Sequence, residues 1–196
     1  MQLRRVGRQA VLVEVADAAQ ARSLAAYVVQ IGLPVADLVP GARTLLLDGL
    51  ADSDVVPGLL AGWSPEATTE PGSLVEVPVT YDGPDLQRVA EGLGLTPRDV
   101  VRAHTDAEFT AEFTGFAPGF AYLSGWDLRV PRHATPRARM EPGSVALADR
   151  WCGVYPAASP GGWQVIGHTD VVLWDPARSA PALLAPGSRV RFVEVP

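Results

Sequence analysis

The chain has no lysine: each of its 16 basic residues is arginine. That absence excludes Schiff-base chemistry and the phosphate-binding lysine of a P-loop. Any anion held here is met by arginine, by backbone N–H groups or by another polypeptide. The single cysteine, Cys152, excludes an internal disulfide and agrees with a reducing compartment. No apolar run approaches the roughly 18 residues of a membrane span. The basic start MQLRRVGRQAVLVEVADA holds only a short apolar run, which alternates and then meets Glu14 and Asp17, as suits a strand and not a secretory leader. A soluble, cytoplasmic protein is expected. A net charge of −6 argues against nucleic acid, whose phosphates need a basic surface. No two of the histidines, His104, His133 and His168, have metal-ligand spacing, so no metal site is expected.

What is present divides into two textures. Residues 1–77 read as an α+β unit. A strand at 10–15 is followed by a helix with Asp17 as N-cap, Gln20 at the capping-box position and Gly32 as its stop. Leu24, Val28 and Ile31 line one face of that helix. VADLVP and RTLLLDG are two short strands about the Pro40-Gly41 turn, and a helix near 53–61 is interrupted by Pro57 and Gly58. SLVEVPVTY supplies a fourth strand, completing the split βαβ order of a ferredoxin-like fold. Residues 78–196 open with two helices, the second marked by Thr96, Pro97 and Asp99 as N-cap, N1 and box residue. Beyond Ala107 the helix signal ends. Short runs (EFTAEFTGF, SVALA, WQVIGHT, VVLW, RVRFVEV) separated by glycine and proline predict a mainly-β barrel.

Three stretches could carry chemistry. In EFTAEFTG the alternation puts Phe109, Ala111 and Phe113 on one face of a half-buried strand. The turn after it, GFAPGFAYLSG, sets Phe116, Phe120 and Tyr122 on backbone stiffened by Pro118 and made permissive by Gly115, Gly119 and Gly125. These rings either cap a barrel core or form an aromatic wall beside exposed N–H groups, a receptor for a small planar amide. PRHATPRARMEPGSVALA adds Arg132, His133, Arg137 and Arg139 close to Arg129. Guanidinium forks suit carboxylate or phosphate, so an anion is expected here. Gly161-Gly162 allow close backbone approach, as anion-binding nests require. His104 ends a helix, where the dipole favours an imidazolium. Cys152 is expected to be a partly buried, inert thiol.

FTGFAPGFAYLSG, PRHATPRARMEPGSVALA and GVYPAASPGGWQVIGHT, in that order and spacing, resemble the family of the 5-oxoprolinase B subunit. That family is also called allophanate hydrolase subunit 1, and it includes a small inhibitor of a sporulation histidine kinase. The resemblance runs from about residue 75 to the C-terminus, more faintly before it. It implies an N-terminal ferredoxin-like domain and a C-terminal cyclophilin-like β-barrel. It further implies two partners, the C subunit (a second cyclophilin-like chain) and the A subunit. The assembled enzyme opens the ring amide of 5-oxoproline to glutamate with ATP as co-substrate. By similarity, His104, Arg132 and Arg137 match catalytic positions. Phe116, Pro118, Gly119, Phe120, Tyr122, Gly143, Ser144, Ser159, Gly161, Gly162 and Trp163 match substrate-binding positions. One position departs: the family motif usually ends Gly-Arg-Thr, and this chain has Gly167-His168-Thr169. Lacking a lysine and a metal carboxylate pair, the chain is expected to share its site with the C subunit and to be inactive alone. The resemblance also admits a non-catalytic inhibitor of a histidine kinase, and a component of a urea carboxylase or allophanate hydrolase system.

Overall fold

A computed structural model describes residues 1–65 and 72–196. Two units divide the chain, Met1–Pro71 and Gly72–Pro196. In the first, β1 (Gln2–Val6), β2 (Ala10–Glu14), β3 (Asp37–Pro40) and β4 (Thr44–Asp48) form an antiparallel sheet in the order β1-β2-β4-β3. Val11, Val13, Leu45 and Leu47 alternate along their strands and bury one face against α1 (Ala18–Gln30). The Asp17 carboxylate accepts the Gln20 N–H at 2.8 Å, and Gln20 Oε1 accepts the Ala16 N–H at 3.0 Å, so the cap forms as expected. Leu24 and Val28 are buried, but Ile31 is the C-cap residue and is exposed, so the apolar face stops one turn early. A 3₁₀ turn, Ser53–Val55, leads into α2 (Val56–Leu60). Pro57 therefore stands in the first turn of that helix, where its missing N–H costs nothing, and does not interrupt it.

The expected fourth strand of this unit belongs elsewhere. β5 (Leu74–Val79) pairs in parallel with β13 (Arg189–Glu194), so the boundary lies at 71/72 and not near residue 77. The fourth place in the first sheet is filled by β1, which forms a hairpin with β2 and which no expectation from the sequence covered. Among the described residues of the first unit, no strand follows α2 in the place that the ferredoxin-like order gives to a fourth strand. Period-two alternation marks a strand but does not say which sheet it joins.

The second unit begins with β5, α3 (Leu86–Leu93) and α4 (Pro97–Asp106). There follow β6 (Phe109–Thr114), β7 (Ala121–Ser124), β8 (Arg137–Met140), β9 (Ser144–Ala148), β10 (Trp151–Val154), β11 (Ser159–Gly161), β12 (Gln164–His168) and β13. Thr96 and Asp99 form the expected reciprocal cap of α4. The seven-stranded mixed sheet has the order β12-β9-β10-β7-β6-β13-β5. Its two ends meet: Thr80 and His168 exchange N–H···O bonds of 3.0 and 2.9 Å, and Gly83 N–H reaches Ile166 O at 3.2 Å. The sheet is a nearly closed barrel. The seam needs glycine, since a Cβ on Gly83 would lie 2.3 Å from the Ile166 carbonyl carbon and one on Gly167 would lie 2.5 Å from Thr80 O. VVLW, expected as a strand, makes only the isolated bridge Trp174↔Ala182. Among the described residues no helix is long and apolar enough to cross a membrane.

Each barrel strand presents two faces. Leu123, Val145, Leu147, Cys152 and Val154 point into the barrel, with Phe109, Phe192 and Trp126. Their alternates Ala146, Ala148 and Tyr122 belong to a separate outer cluster with Phe120, Tyr155 and Trp163. A two-stranded ribbon of β8 and β11 contributes Met140 to that outer layer. Phe113 leaves the face expected for it: the register shifts between Ala111 and Phe113, and Phe113 stacks on Tyr122 at 4.4 Å.

Candidate functional site

The outer cluster does not close completely. A cavity of about 490 Å³ remains, lined by the rings of Phe116, Phe120, Tyr122, Trp151, Tyr155 and Trp163, with Arg132, Asp149 and the Pro160-Gly161-Gly162 backbone at its edge. Its floor depends on a glycine. A Cβ on Gly153 of β10 would lie 2.8 Å from Phe120 Cζ and 3.1 Å from Trp163 Cζ3, so only a bare backbone lets the two rings rest on the strand. Phe120 is 1% exposed and sits edge-on to Tyr122, Tyr155 and Trp163 at 5.1–5.4 Å. Phe116 differs: it is 60% exposed and holds a left-handed φ of 68°, a conformation costly for a bulky side chain. Strained and protruding, it forms one lip of the cavity.

Charge is sparse here, and its distribution sorts the arginine-rich stretch. Arg129 pairs with Asp149, Arg139 with Glu141 at 2.7 Å, and Arg137 with Asp85 through two bonds of 2.7 and 2.8 Å. Of these arginines only Arg132 has no hydrogen-bond or ion-pair partner among the described residues, and it lines the cavity. Its charge reaches the Tyr122 and Tyr155 hydroxyls. Burial raises the pKa of both against the opposing pull of Arg132, so both stay protonated and can donate. The cavity therefore has aromatic walls, one unspent guanidinium and two protonated tyrosines in its lining. That set suits a small planar molecule carrying an anionic group.

The structure brings together Phe116, Phe120, Tyr122, Arg132, Gly161, Gly162 and Trp163. Pro118 and Gly119 line a neighbouring depression with Trp174, on the far side of Phe116. Ser159 opens β11 beside them in sequence, but it is not among the lining residues. Gly143 and Ser144 are not a free nest: their N–H groups donate to Tyr155 O at 2.7 Å and to Glu141 O at 3.2 Å. Arg137 is spent on Asp85. His168 stands at the barrel seam, 2.8 Å from Asp82, and not at the cavity.

His104 is inside the barrel. It is wholly buried, with Tyr81 Oη 2.7 Å from Nδ1 and Cys152 Sγ 3.3 Å from Nε2, and its ring packs on Phe109, Trp126 and Phe192. Burial pushes the imidazole down to about 3, so the imidazolium expected at a helix end is not formed near neutrality. The α4 dipole is a smaller effect than complete desolvation. Cys152 is fully and not partly buried, and burial pushes its thiol up. Neither group faces the cavity.

Sequence reasoning missed Trp151, Tyr155, Asp149 and, above all, Asp85. Tyr155 lies inside GVYPAASPGGWQVIGHT, and Trp151 begins the alternation of β10. Asp85 lies before the first of the two helices, with no signal of its own in the sequence. It occupies the N-cap position of α3 yet makes no capping bond. Instead its fully buried carboxylate takes Arg137, the Val165 N–H at 2.7 Å and His133 at 3.2 Å. Burial alone would raise this carboxyl; the Arg137 guanidinium, the Val165 N–H and His133 together hold it below the usual range.

The barrel with its external cavity falls within a known class. Over residues 1–184 the chain matches the carboxyltransferase domain, subdomain C and D, and it belongs to that family. Over 170 residues it is 42% identical to the 5-oxoprolinase B subunit of Escherichia coli O157:H7, covering 81% of this chain and 78% of that protein. The crystal structure of TTHA0988 superposes with a TM-score of 0.84 at 34% identity, across 100% of this chain but 41% of that one. This chain thus spans less than half of that longer polypeptide. The Kluyveromyces lactis urea amidolyase gives a TM-score of 0.79 at 18% identity over 98% of this chain and 15% of that one, a shared fold.

Proposed function

We propose that the chain is the B subunit of an ATP-dependent 5-oxoprolinase, with the outer cavity as its share of the lactam site and a cytoplasmic location. The observation that carries this is the unpaired Arg132 at the edge of an aromatic cavity, in a chain similar to proteins named as the B subunit of 5-oxoprolinase. In this reading the five-membered ring of 5-oxo-L-proline lies against Phe120 and Trp163. Arg132 receives its carboxylate, and the Tyr122 and Tyr155 hydroxyls donate to the amide oxygen. Phosphoryl transfer from ATP to that oxygen releases ADP and makes the ring carbon attackable by water; the C–N bond breaks as the nitrogen takes a proton, and a second water hydrolyses the resulting acyl phosphate to glutamate and phosphate.

The nucleotide is assigned to the complex and not to this chain alone. Phosphoryl transfer draws on several cations and metal-binding carboxylates. The cavity provides one free guanidinium, and its one carboxylate, Asp149, is held by Arg129. Among the described residues no cluster of three metal-ligating side chains occurs. The C subunit, as a second cyclophilin-like barrel beside this one, and the A subunit supply the rest. The length of TTHA0988, whose chain continues well beyond the matched part, supports a second polypeptide completing the site. The test is ATP-dependent hydrolysis of 5-oxo-L-proline by the chain alone and together with the A and C subunits. Activity is expected only from the assembly; full turnover by the isolated chain contradicts the shared site.

A further inference from the structure

The segment carrying Arg132 is pinned on both sides. Gln164 Nε2 donates to Pro131 O at 3.0 Å, and the His133 N–H donates to Gly162 O at 2.8 Å. The His133 ring, 10% exposed, lies between two charged groups, with Asp85 Oδ2 at 3.2 Å and Arg137 Nη1 at 2.7 Å from Nε2. Arg88 approaches Nδ1 at 3.4 Å. Asp85 is anchored in turn to the barrel by the Val165 N–H, next in sequence but one to Trp163 of the cavity floor. Its side chain forgoes the N-terminus of its own helix to do this. A fully buried carboxylate so placed is costly unless paired, and one of its partners, His133, lies in the strip that carries Arg132.

We propose that Asp85 and His133 are positioning residues: they hold the Pro131–His133 strip so that the Arg132 guanidinium stands at the cavity, and so set selectivity for a lactam bearing a carboxylate over a bare lactam. This rests on the reading that Arg132 receives the substrate carboxylate. Neither residue touches substrate. Asp85 and His133 act by making Arg132's place fixed before binding, so less ordering is left to do when the anion arrives.

The experiment uses the complex reassembled from this chain with the A and C subunits. KM is measured for 5-oxo-L-proline, and Ki for 2-pyrrolidinone, the same ring without the carboxylate. His133→Ala cuts the link while leaving the Asp85–Arg137 pair in place. It is expected to raise KM about tenfold, as loss of a well-placed charged hydrogen bond does, with Ki and kcat within about twofold. Added to Arg132→Ala, it should raise KM no further, because coupled residues are non-additive. Asp85→Asn, judged by Tm to be folded, should give the same split. Parallel rises in KM and Ki, or additive effects with Arg132→Ala, would mean a general structural role and overturn the proposal. If Arg132→Ala raises KM while His133→Ala is silent, only the positioning role fails. If Arg132→Ala itself changes nothing, the reading of the site fails.

Discussion

Two aromatic clusters lie back to back on the same strands of the barrel, one inside and one outside, and their polar groups face different things. Inside, Tyr81, His104 and Cys152 form a row in which both imidazole nitrogens have a partner, and His104 and Cys152 are fully buried. Outside, Tyr122, Tyr155 and Arg132 border open volume, and the guanidinium has no internal partner among the described residues. The inner row has the residue types of a nucleophilic site but the environment of a core. The outer layer has few titratable groups but leaves one of them unused. Chemistry follows exposure and spare valence more than residue type.

Four substitutions sharpen that contrast. Phe120→Ala opens the shared floor and should cost about 3–5 kcal/mol by denaturant unfolding, since the ring is buried among four others. A smaller cost would mean that the outer layer is loosely packed. Gly153→Ala pushes a methyl into Phe120 and Trp163; about 1–3 kcal/mol of stability should be lost, with a raised KM in the complex. If stability falls and KM holds, the floor is purely structural.

The inner row predicts an acid sensitivity. His104 is neutral in the fold down to about 3, whereas the unfolded chain protonates it near ~6.5. The unfolded state therefore binds more protons in that window. The stability this neutral histidine allows is complete above ~6.5 and falls by about 1.4 kcal/mol per pH unit below it. His104→Gln, which cannot titrate, should flatten the stability profile between about pH 6.5 and 4.5. An unchanged profile would show that the imidazole is hydrated or already charged. The smallest stability effect is expected of Phe116→Gly. Relief of the left-handed φ, about 1 kcal/mol, roughly offsets the added chain entropy. Tm should hardly move while KM rises; a large drop in Tm would place Phe116 in the core.

What could be read from the sequence was local. Thr96, Pro97 and Asp99 sit within one turn and predict their own cap. The short glycine-punctuated strands predict a barrel, and the aromatic turn does border the cavity. What could not be read is set by distant partners. Nothing near Asp85 in the sequence announces that Arg137, 52 residues on, claims its carboxylate. SLVEVPVTY resembles a fourth strand of the first sheet until β13, from the far end of the chain, pairs with it. One bulged residue turns Phe113 from the inner face to the outer, and no alternation pattern announces it. Likewise, the helix-end position of His104 is visible in sequence, and its complete burial is not.

The most direct test is the substrate dependence of ATP-driven 5-oxo-L-proline hydrolysis by the reassembled complex carrying Arg132→Ala, with Tm recorded alongside. An exposed, unpaired side chain should leave stability within about 0.5 kcal/mol, while KM rises by about tenfold or more as the carboxylate loses its partner. An unchanged KM, with the rest of the complex intact, would contradict the assignment of the outer cavity to the substrate.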